Sequence, residues 1–145
     1  MTEILVVILV VGILAAIAIP TLLTQREKAS DAFAKSEASS ANRAMVIYEE
    51  DNDTYACGDT AQCRAAMTGI DPVLGDSHVL FTQSGGSTGD PTPHGYRVTA
   101  PGGQNRTFWI DRAPGAGGAD RGCDLNGATE VGGCRGASAG SAGSW

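Results

Sequence analysis

From Ile4 to Gln25 the chain carries no charge, and from Ile4 to Ile19 it carries no polar side chain. No other feature restricts the fold so strongly. As a continuous helix, those 22 residues would extend ~33 Å, enough to cross the hydrocarbon of a bilayer. A cleaved secretory signal has a basic residue ahead of a shorter apolar stretch and a small-residue cleavage site behind it. Here Glu3 stands ahead, no Lys or Arg precedes the run, and the helical pattern continues past it. The run is therefore read as a retained anchor.

Three residues in this segment need a reason. Glu3 puts a carboxylate at the edge of hydrocarbon, where ionisable groups are costly and usually partnered. A helix N-terminus would stabilise it through free N–H groups and the dipole. The sharper expectation is that Glu3 pairs with a positive group on another chain, such as a terminal amine. Pro20 lacks the N–H that would bond the Ala16 carbonyl, and Gly12 is a weak helix former. Between them a helix can persist in lipid, where neighbours satisfy freed groups, and could stretch if packing rewarded it.

After Arg26 the composition is that of a soluble protein. The helix is expected to resume after Pro20 and run to Tyr48 or Glu50. Leu22, Ala29, Phe33, Ala41, Ala44, Met45 and Tyr48 fall roughly on one stripe at helical spacing. Glu49-Glu50-Asp51-Asn52-Asp53-Thr54 should end it, since acidic residues oppose a helix C-terminus and Asn and Asp favour turns. A short helical turn is expected at Gln62–Met67, ending at Gly69 with Pro72 beyond. The period then changes: His78–Thr82, Tyr96–Ala100, Thr107–Asp111 and Asp120–Asp124 read as strands. Pro101–Asn105 reads as a hairpin connection, and Ser84–Pro93 as a Gly/Ser/Pro loop. The Gly/Ser/Ala tail can bury little unless Trp145 docks it.

The expected fold class is α+β: a long N-terminal helix packed on a small antiparallel sheet of three or four strands. Residues 1–25 form the apolar membrane or filament-core part, 26–52 the amphipathic second half of the helix, and 53–145 a globular head. The four cysteines, Cys57, Cys63, Cys123 and Cys134, form an even set beside a membrane segment, which indicates two disulfides outside the cytosol. Their spacing contains no C-x-x-C, so zinc is the weaker reading. Three connectivities are possible; local pairing, Cys57–Cys63 and Cys123–Cys134, is expected because each pair is close in sequence. No metal or cofactor is called for. A net charge of -6, with scattered basic residues, argues against nucleic acid as the main partner.

The segment Thr2-Glu3-Ile4 through Ala15-Ala16-Ile17-Ala18-Ile19-Pro20 resembles the mature N-terminus of type IV pilins and type II secretion pseudopilins. The likeness is specific over these residues; the remainder resembles the family only in layout. It implies a precursor whose basic leader is removed by a prepilin peptidase, a bacterial inner-membrane stage, and extraction by the pilus assembly machinery into an extracellular homopolymer. It implies that Glu3 neutralises a neighbour's terminal amine, and that the stretch from Gly12 to Pro20 loses helicity in the filament. Family members usually carry two more residues before this glutamate, beginning with Phe. The expectation is that the first two mature residues are missing here or that the terminus is unusual.

The function expected is that of a major pilin, a structural subunit. The alternative is a secretion pseudopilin, some of which bind calcium through acidic loop residues; Asp120, Asp124, Asn126 and Glu130 are the candidates, although Gly122 occupies the first ligand position of an EF-hand pattern. An enzyme is not expected: there is no G-x-S-x-G, phosphate loop or H-E-x-x-H, and His78 and His94 read as surface or structural residues. The sequons at Asn52 and Asn105 are read as chance matches.

Overall fold

A computed structural model of the chain describes residues 2–84, 95–113, 118–126, 133–135 and 142–145. The Ser84–Pro93 loop beyond Ser84, His94, Glu130 and most of the C-terminal tail lie outside the described residues. Helix α1 is unbroken from Thr2 to Asn52, ~77 Å at the standard rise. It ends where the acidic run begins to turn: Asp53 adopts φ 56, its N–H donates to the Glu49 carbonyl at 2.8 Å, and Asn52 Nδ2 caps the Tyr48 carbonyl at 2.9 Å.

The head follows. Helix α2 (Thr60–Ile70) starts with a capping box in which Asp59 accepts from the Gln62 N–H and the Gln62 side chain accepts from the Asp59 N–H. It is a full helix of 11 residues rather than the expected turn, and Gly69 lies inside it. A 3-10 turn at Pro72–Asp76 leads to the sheet. Strands β1 (Leu80–Ser84), β2 (Gly95–Pro101), β3 (Thr107–Arg112) and β4 (Asp120–Asp124) pair antiparallel in sequence order. His78 precedes β1 instead of belonging to it.

Register decides which face is buried. Phe81, Val98 and Ile110 align across three strands, as do Ala100, Phe108 and Cys123, and both rows face α1 and are buried. The helix meets them with Ala34, Ala38, Ala41, Ala44 and Met45, all essentially inaccessible. Because the sheet supplies the aromatic bulk, small helix residues are needed for the two elements to close without voids. The other face is covered by its own side chains. Trp109 lies flat on Gly122, where a Cβ would come within 2.0 Å of the indole. Arg97, paired with Asp111, stacks on the same ring at 4.5 Å.

Both sheet edges are occupied, which removes templates for unwanted strand pairing. On β1, Thr60 Oγ1 donates to the Phe81 carbonyl at 3.0 Å, and Arg64 Nη2 donates to the Val79 carbonyl at 2.9 Å. On β4, Cys123 and Gly143 exchange two backbone hydrogen bonds, so the C-terminus lies along the edge. Trp145 does dock: its indole N–H donates to the Gly122 carbonyl at 2.8 Å, and its ring meets Phe108 edge-on at 6.1 Å. The disulfides are Cys57–Cys63 and Cys123–Cys134.

Candidate functional site: the uncovered stem and its junction with the head

Among the described residues, nothing from the head covers the first half of α1. Its side chains from Glu3 to Arg26 are exposed apart from a half-covered Ala15, and none of its most apolar stretch is buried. The helix is long and apolar enough to cross a membrane by length and composition. Glu3 lies in the first turn, where the free N–H groups favour a carboxylate. Gly12 has open space where a Cβ would stand. It lines a shallow apolar groove with Leu5, Ile8, Leu9, Ile13 and Ala16, which share one helical face. Pro20 sits inside the helix without ending it. Beside it, Thr21 Oγ1 donates to the Ala18 carbonyl at 2.8 Å and Thr24 Oγ1 to the Thr21 carbonyl at 2.9 Å. These hydroxyl back-bonds reach the carbonyls of Ala18 and Thr21, not the Ala16 carbonyl that Pro20 deprives of its N–H donor. In the single chain, the section from Gly12 to Pro20 is helical. Glu3, Gly12 and Pro20 are strung along one helix and not gathered into a pocket.

At the junction with the head the side chains do converge. Asp31, only 2% exposed, faces Arg106, which is 0% exposed. The guanidinium approaches both carboxylate oxygens, with Nε 3.2 Å from Oδ1 and Nη2 3.0 Å from Oδ2. The same carboxylate accepts the Gly103 N–H at 3.0 Å and the Gly133 N–H at 3.2 Å. One turn on, Lys35 Nζ donates to the Gly133 carbonyl at 2.7 Å and lies over the Phe108 and Trp145 rings. Burial lowers the Lys35 pKa; neighbouring Asp31 acts in the opposite direction and Arg135 in the same one. Gly102 is needed here, because a Cβ would strike the Phe108 ring at 2.6 Å and Asp31 Oδ1 at 2.9 Å. Glu27 adds an exposed contact to Gln104.

A second pin fastens the far end of the helix. Tyr96 donates to Asn42 Oδ1 at 2.8 Å, its ring lies 4.7 Å from that of Tyr55, and Arg112 donates to the Tyr55 hydroxyl at 3.0 Å. Burial pushes the Tyr96 hydroxyl up to about 12. Between the pins, Glu37 is 7% exposed. Burial raises its pKa, and nearby His78 partly offsets that.

The expected helix stripe needs correction. Ala41, Ala44, Met45 and Tyr48 do face the head, but Leu22, Ala29 and Phe33 do not, and Phe33 is 63% exposed. The head covers the positions Asp31, Ala34, Ala38, Ala41, Met45 and Tyr48, which alternate by three and four residues. Reading for apolar residues overlooked Asp31, Lys35 and Arg106. The signal available was that same spacing, extended back through a charged residue set among alanines and serines.

Two of the residues considered for calcium, Asp124 and Asn126, have other partners. Asp124 accepts the Trp109 indole N–H at 3.1 Å, and Asn126 Nδ2 donates to Thr107 Oγ1 at 3.1 Å. Asp120 is exposed at the start of β4, and Glu130 lies outside the described residues. Among the described residues, no group of three or more His, Cys, Asp or Glu side chains could hold a metal ion. Compared with known proteins, the chain matches no protein-family model, no curated protein and no solved structure.

Proposed function

We propose that this chain is the structural subunit of an extracellular helical filament of the type IV pilus kind, held in the bacterial inner membrane before assembly. One observation carries the reading: a head that closes its own core is joined to a long helix whose apolar first half no described residue of the head covers. Lipid would cover that helix first, and the helices of other copies afterwards. Some twenty apolar side chains at ~1 kcal/mol each provide a large gross drive, offset by association and ordering costs. Contact between unlike surfaces of identical copies, repeated without closure, produces an open helix.

Within this reading Glu3 sets the stagger by meeting a positive group on a neighbouring copy. Gly12 allows close approach along its groove, and Pro20 limits a section able to stretch. The role is structural, with no catalytic step. Filament yield, counted by electron microscopy on cells making the Glu3→Ala chain at normal levels, tests it. A fall of tenfold or more is expected, and normal abundance would refute the pairing. Long filaments on wild-type cells would favour the pilin reading, and loss of protein secretion on deletion would instead favour the pseudopilin.

A further inference from the structure

Gly133 precedes Cys134, and its peptide N–H and C=O are held by Asp31 and Lys35 respectively. Cys134 is bonded to Cys123 in the edge strand β4. Asp31 also holds Gly103 and Arg106, which belong to the β2–β3 connection. Two pieces of chain distant in sequence thus meet on one buried carboxylate of a third, the helix. A carboxylate so placed is tolerated only while its donors stay in place.

We propose that Asp31 is the positioning residue that seats the head on the helix, and that the Cys123–Cys134 bridge controls this seat by keeping Gly133 within its reach. The device is a redox-sensitive latch. A dithiol reductant delivers two electrons and two protons to the bridge, leaving two thiols on the chain and a disulfide on the reductant. Gly133 then loses its covalent tether and is joined to the β4 edge through the hydrogen bonds of Arg135 to Ser144 and of Gly143 to Cys123, so its bonds to Asp31 and Lys35 open more often. The loosening passes through Asp31 to Gly103, in a loop that contains neither cysteine. The opposite edge, where α2 guards β1 beside Cys57–Cys63, has no link to Asp31 among the described residues and keeps its protection. The latch acts within one chain and goes beyond the filament reading, so its test can fail without touching that reading.

Amide hydrogen exchange on the full chain in detergent micelles provides the test. Relative to the oxidised parent, Cys123→Ser/Cys134→Ser is expected to exchange the Gly103 amide about tenfold faster, with α2 and β1 unchanged. Unchanged exchange at Gly103, or a uniform rise across the head, would overturn the proposal. A reciprocal arm keeps both disulfides and uses Asp31→Asn in a dithiol redox buffer. Linkage requires Asp31 to protect the bridge by the same factor as the bridge protects the seat. Cys123–Cys134 should therefore be reduced at about a tenfold lower reductant ratio, with Cys57–Cys63 as the unshifted internal reference. No shift, or an equal shift in both bridges, would refute the latch.

Discussion

Residues 4–25 and residues 31–48 belong to the same helix, yet they invert the usual relation between side-chain size and burial. In the first segment Ile, Leu and Val point in every direction and all stand exposed. In the second, the inaccessible positions are mostly alanine, while Phe33 and Ile47 remain outside. The reason lies in what each half meets. The sheet brings Phe81, Tyr96, Phe108 and Ile110, so the helix beneath it must contribute little volume. The stem has no sheet, and its large side chains are suited to lipid or to other helices. Burial in this protein is therefore assigned by the partner surface rather than by the hydrophobicity of the helix.

The comparison can be broken most severely at the junction. Arg106→Met would leave the Asp31 carboxylate buried without its guanidinium. Denaturant titration of the full chain in micelles should show a loss of about 3–5 kcal/mol in head stability. A loss below about 1 kcal/mol would mean that the seat contributes little.

Glu37 gives a smaller effect of opposite sign. Its pKa is raised in the folded chain, chiefly by burial. The folded state therefore binds this proton more tightly than the unfolded state, and stability rises as pH falls from neutral through the raised value. Charged Glu37 is a burden at neutral pH. Glu37→Gln should raise the melting temperature at pH 7, and the gain should disappear in acid once the parent is protonated in both states. A gain that persists in acid would point to packing instead of charge.

The smallest effects belong to the uncovered surfaces. Leu9→Ser in the stem and Phe33→Ser on the bare flank should change head stability by no more than about 0.5 kcal/mol. Leu9→Ser should nonetheless weaken retention in membranes, measured by fractionation. A large loss of head stability from either change would erase the distinction between the two halves.

Much of this architecture is legible in the residues. The apolar run, the strand periodicities, the terminating acids and the short cysteine spacings each report a local preference, and local preferences survived into the fold. The helix stripe was only half legible. Apolar periodicity identified Ala41, Ala44, Met45 and Tyr48, but it also admitted Phe33, because a helix has two flanks of similar pattern and the sheet covers one. The junction was harder still. Asp31, Gly103, Arg106 and Gly133 are spread over the chain, and nothing local to any of them indicates that they meet.

By itself the sequence determined that a long apolar helix precedes a head with a sheet of three or four strands, because helix, strand and turn preferences act over a few residues. It also determined the spacing of Glu3, Gly12 and Pro20 along that helix, since a helix converts sequence separation directly into distance. Only the tertiary structure decided which flank of the helix the head covers. That choice rests on sheet register and on fitting aromatic side chains against alanines. Only the tertiary structure placed a buried carboxylate where the helix, the β2–β3 connection and the disulfide loop converge, because a buried charge persists only where separate parts of the chain bring it donors.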